Sequence, residues 1–181
     1  MDVHTEAWTW SVLGGVLVIA TITDAWRRII PDWLTLPALV VLLGLRWMHE
    51  GLGDLQSGLV SGLVSAVAIG AFFALWTIGD RMGWGDVKLM AVVGAAFGFP
   101  VIQVAALLIT LVGALQAVVT LLWEGALWST LERALSRVAS KLGLAKAGRD
   151  ASARRSVPYG IAIALGSFWT MWWERAALVA P

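Results

Sequence analysis

The sequence predicts an all-α integral membrane protein, with six transmembrane helices and a cytoplasmic interfacial helix between spans five and six. Three observations lead there: an apolar composition, hydrophobic runs long enough to span a bilayer, and basic residues confined to alternate connections. Of 181 residues, 59% are hydrophobic and only 14% charged, too little polar surface to cover a soluble core of this size. The net charge of +1 leaves no basic excess for a nucleic-acid partner. The absence of cysteine excludes disulfides and thiolate-ligated zinc. His4 and His49 stand far apart near segment ends, where they read as surface residues, so neither a metal nor another cofactor is expected.

The apolar runs are Trp8–Thr23, Trp33–Met48, Ser57–Ile78, Val87–Phe99, Val101–Trp123 and Val157–Trp173. The acidic N-terminus lacks the basic stretch of a secretory signal, so the first run is expected to stay as a span. A crossing takes about 20 residues for about 30 Å of hydrocarbon, so these limits are drawn tight. Val87 to Trp123 as a single helix would run roughly 55 Å, at about 1.5 Å per residue, too long for one crossing. Gly98-Phe99-Pro100 divides it into a hairpin of two spans.

Charge supports that division. With the N-terminus outside, eleven of the thirteen Lys and Arg fall on one side and only Arg46 and Arg175 on the other. The basic-rich side is therefore expected to be cytoplasmic, in a cytoplasmic (inner) membrane. Tryptophans cluster at both sets of span ends, as interfacial anchors do. Gly58, Gly62 and Ser65, and Gly94 and Gly98, form small-xxx-small patterns suited to close helix packing. The linker 124–156 places Leu127, Leu131, Leu135, Val138 and Leu142 at helical spacing opposite Arg133, Arg137 and Lys141, which predicts the interfacial helix. No repeat or second domain is visible, so residues 1–181 are read as one membrane-embedded domain.

Two aspartates carry the chemistry. Asp24 closes the first span in Asp24-Ala-Trp-Arg-Arg28, and Asp86 opens the fourth in Gly83-Trp-Gly85-Asp86-Val-Lys88. Each alone reads as a flank charge or a helix cap. Together they sit on the cytoplasmic side at similar depth. Two adjacent carboxylates cannot both ionise cheaply, so they share a proton, which is what aspartyl proteolysis requires. Gly83 and Gly85 lack Cβ, allowing a substrate backbone to approach and the chain to take unusual φ. Without cysteine, and with no serine partnering either histidine, no nucleophilic alternative competes.

The run from Asp24 through Pro31 and Asp32 to Thr35 resembles the first signature of the type IV prepilin peptidase family. Gly83-Trp-Gly85-Asp86-Val-Lys88 resembles its second, a Gly-x-Gly-Asp motif shared with archaeal preflagellin peptidases and, more remotely, presenilins. Val157-Pro158-Tyr159-Gly160 resembles a weaker third element, so the resemblance covers nearly the whole chain. It implies Asp24 and Asp86 as the catalytic pair, supported by Gly83, Gly85, Lys88, Pro31, Asp32, Tyr159 and Gly160. It also implies a prepilin-like substrate whose short basic leader is cut on the cytoplasmic side. Large members add paired Cys-x-x-Cys zinc ligands and methylate the new N-terminus. This cysteine-free chain departs from them, so methyltransferase activity is not expected, and its compact form most resembles the tight-adherence pilin subgroup. Asp32, where many members carry Asn, is expected to cap the second helix after Pro31. A transporter using Gln103, Thr110, Gln116 and Thr120, or a non-enzymatic subunit of a pilus or secretion assembly, are the alternatives.

Overall fold

The computed structural model describes residues 3–77, 83–123 and 159–179. Within them lie six helices and no strand: α1 (Val3–Arg27), α2 (Asp32–Glu50), α3 (Gly58–Thr77), α4 (Trp84–Phe97), α5 (Val101–Trp123) and α6 (Gly160–Val179). Every expected span corresponds to one of them. The first is longer than its apolar run, so Asp24 sits one turn inside α1 instead of closing it. The interfacial helix, Val157, Pro158 and most of the loop after Thr77 lie outside the described residues.

Among the described residues, three helices are long and apolar enough to cross a membrane: Ala7–Arg27, Gly58–Leu75 and Val101–Trp123. Large side chains such as Leu36 and Val40 on α2, and Leu63 and Val67 on α3, are exposed at helical spacing. Such apolar stripes suit a lipid environment.

The chain divides into two compact units, Met1–Gly113 with Pro158–Pro181, and Ala114–Val157. Of the second, only the last turns of α5 are described. The first is organised around α4, which contacts α1, α2, α3 and α6. Val87, Leu89, Met90 and Val92 through Phe97 are all buried, as expected of a helix apolar on every side. Its 14 residues make it roughly 21 Å long at about 1.5 Å per residue.

The small-residue patterns place α3 hard against α4. A Cβ on Gly94 would lie 2.7 Å from the Ser65 carbonyl oxygen and 2.9 Å from Ala66 Cα, and one on Gly62 would lie 3.1 Å from the Ala95 oxygen. At the Gly98-Phe99-Pro100 break, the Phe99 amide donates to Ser61 Oγ at 2.8 Å, tying the turn to α3.

Arg46 anchors this end of α4. It is 5% exposed, although the charge count alone treats it as an ordinary flanking residue. Its Nε donates to the Ala95 carbonyl at 2.9 Å and its Nη2 to that of Ala96 at 3.0 Å. Nη1 pairs with Glu50 Oε2 at 3.4 Å, and the same Glu50 oxygen accepts the Gly58 amide at the start of α3. One guanidinium thus satisfies carbonyls that the end of α4 leaves without partners. In the neighbouring loop Asp54 accepts the Gln56 and Ser57 amides at 2.8 and 3.0 Å. Those bonds, that from Gln56 foremost, hold its exposed carboxyl below the usual range.

Candidate active site

The opposite end of α4 is built differently. Helix α1 stops at Arg28, whose amide donates to the Asp24 carbonyl at 2.9 Å and whose φ is +53°. That left-handed turn redirects the chain into Ile29-Ile30. Pro31, extended at φ −76° and ψ 141°, precedes α2. Its carbonyl accepts the Leu34 and Thr35 amides, closing the first turn of that helix. Gly83, also extended, precedes α4.

Asp24 and Asp86 line one cavity of about 230 Å³, together with Arg28, Ile29, Ile30, Gly83, Trp84 and Gly85. The two carboxylates repel one another electrostatically, and Arg28 attracts that of Asp24. Asp24 is 6% exposed. Its Oδ2 accepts the Gly160 amide at 2.9 Å, so a side chain of α1 occupies the N-terminus of α6. A Cβ at position 160 would sit 2.7 Å from that oxygen, so only glycine allows this approach. Asp86 lies in the first turn of α4, where its own amide donates to the Gly83 carbonyl at 3.1 Å.

Tyr159 stands beside this arrangement. Its ring lies 6.4 Å from that of Phe73, and it feels the charge of Asp86. Gly113 leaves room for the ring, since a Cβ there would meet Tyr159 at 2.5 Å.

Two local expectations are corrected. Asp32 makes no side-chain cap for α2; instead it accepts from Lys88 Nζ at 2.6 Å. The ion pair links the two signature segments and is exposed. An acceptor near the α2 N-terminus suits the helix dipole, but a cation across the gap competes better than the backbone amides. Gly83 and Gly85 do not have unusual φ either. The space over Gly85 belongs to Ile30, whose Cβ would be 2.9 Å from a Cβ at position 85. That glycine lets the loop after α1 pack onto the start of α4, which brings the two aspartates together.

The other polar span residues are placed otherwise. Thr110 and Thr120 donate to the Ala106 and Gln116 carbonyls of their own helix, and Gln103 is exposed. Sequence reasoning passed over Arg28 and Arg46. The signal for Arg46 is an ionisable residue within an apolar run, which such an environment admits only with partners.

Fold and site together define a helical membrane protein in which aspartates from two distant segments share one cavity. Residues 11–122 match the Type IV leader peptidase family, and the chain belongs to it. It is 38% identical over 117 residues to a prepilin leader peptidase/N-methyltransferase of Pseudomonas aeruginosa, covering 62% of this chain and 38% of that protein. A protein of the same description from Neisseria gonorrhoeae is 35% identical over 127 residues, 65% of this chain and 44% of its own. One from Aeromonas hydrophila is 36% identical over 109 residues, covering 59% and 38%. The matched region thus spans about two fifths of the length of these relatives. No solved structure matches the chain significantly.

Proposed function

We propose that this chain is an intramembrane aspartyl endopeptidase that removes the short basic leader of prepilin-like proteins at the cytoplasmic face of the membrane. The observation that carries the reading is the single cavity shared by Asp24 and Asp86, which come from the two family signatures. One carboxylate takes a proton from water as the oxygen bonds to the scissile carbonyl carbon. The other, protonated, gives its proton to the carbonyl oxygen. Collapse of the resulting diol returns a proton to the second aspartate, while the first protonates the departing amine. The pair ends as it began.

The proposal includes six spans with the N-terminus outside, so that the cavity faces the cytoplasm with Arg27, Arg28 and Lys88. Its supports are three helices long and apolar enough to cross a membrane, the basic-residue asymmetry and the break at Gly98-Phe99-Pro100 that separates α4 from α5. It covers leader cleavage alone. Incubating the purified chain with a candidate prepilin in detergent tests it: a gel should show loss of the leader. An intact prepilin at high enzyme concentration, with the chain folded, would reject it.

A further inference from the structure

Arg28 is the one non-glycine residue with positive φ among the described residues, at +53°. A residue bearing a Cβ is strained there, and glycine is not. The turn it makes needs only its backbone, since the bond to the Asp24 carbonyl comes from its amide. Glycine would form that turn better. Arg28, however, lines the cavity, and its charge acts on Asp24. Strain kept at a site, where an unstrained residue would serve the fold, points to the side chain's having work there.

Asp24 accepts the Gly160 amide at the N-terminus of α6, and Asp86 lies in the first turn of α4. The charged groups acting on Asp24 are Arg28 and Asp86; the one acting on Asp86 is Asp24, and Asp86 in turn acts on the Tyr159 hydroxyl. Among the described residues, Asp24 alone of the two has a cation acting on it. We propose that Arg28 is a positioning residue that keeps Asp24 as the carboxylate of the pair, so that Asp24 takes the proton from water and Asp86 supplies the proton to the scissile carbonyl.

This rests on the peptidase reading, and its test separates the two. The full chain and its Arg28→Gly and Arg28→Lys variants are compared for cleavage of a prepilin and for thermal melting. Arg28→Gly should lower kcat roughly tenfold or more with little change in KM, because an opposite charge favours the ionised base by that order. It should melt no lower than the parent, because the strain is relieved. Arg28→Lys should recover most of the rate. Independently of turnover, a hydrophobic carbodiimide, which attacks protonated carboxyls, should label Asp86 in the parent and reach Asp24 in Arg28→Gly. Parental cleavage by Arg28→Gly, or labelling of Asp24 in the unaltered chain, would overturn the assignment. The peptidase reading itself falls instead if the unaltered chain leaves the prepilin intact or the aspartates prove dispensable for cleavage.

Discussion

The two ends of α4 each hold a buried charge, and they use it in opposite ways. At the Gly98 end, Arg46 spends its donors on the Ala95 and Ala96 carbonyls and on Glu50. At the Gly83 end, Asp24 accepts, among the described residues, the single amide of Gly160, and it faces a cavity that contains a second carboxylate. A carboxylate has about four lone-pair sites, so Asp24 retains capacity that Arg46 has used up. Burial alone therefore does not mark a functional charge. What separates a clasp from a candidate catalyst is unspent hydrogen-bonding capacity beside open space.

The comparison breaks most visibly under isosteric exchange. Asp24→Asn and Asp86→Asn should each reduce prepilin cleavage by about 10²–10⁴-fold or more, the usual worth of a general acid or base. Both variants should stay folded, as circular dichroism and size-exclusion profiles would report. Near-parental turnover in either would remove the distinction between the two ends.

Arg46→Met should do the reverse. Leaving Glu50 and two α4 carbonyls without their partner is expected to cost about 3–5 kcal/mol, read as a lower melting temperature. Cleavage per folded molecule should persist, because Arg46 lies at the end of α4 away from the cavity. Gly98→Ala should act on the same clasp more mildly. Its φ of +63° disfavours any Cβ, and that Cβ would sit 2.6 Å from Arg46 Nη2. A loss of about 1–2 kcal/mol is expected from the backbone alone.

The Asp32–Lys88 pair should matter least to stability. Its side chains are 59% and 37% exposed, and exposed pairs contribute about 0.2–1 kcal/mol at most. A double-mutant cycle with Asp32→Asn and Lys88→Met, read by melting at low and high salt, would measure the coupling. A value of several kcal/mol would mean that the signature loops are clasped as firmly as the Gly98 end.

Much of this was legible beforehand. The six described helices, the Gly98-Phe99-Pro100 break and the small-residue contacts follow from apolar run lengths and residue size, which are local properties. The Gly-x-Gly-Asp and Asp24–Asp32 segments were recognisable for the same reason. The partners were not. Arg46 meets Ala95 and Ala96, and Asp24 meets Gly160, only once helices far apart in sequence have packed. Gly85 shows the limit most sharply: a missing Cβ invites a neighbour, but sequence cannot say whether that neighbour is a substrate or Ile30.

The shared site itself is tested most directly by cross-linking. The chain has no cysteine, so an Asp24→Cys, Asp86→Cys double variant carries only the two probes. With prepilin present in native membranes, a short bifunctional thiol reagent should join positions 24 and 86 within one chain, and both should react with reagents from the cytoplasmic side. Failure of any short linker to join them, or labelling of the two positions from opposite faces, would contradict the proposed mechanism.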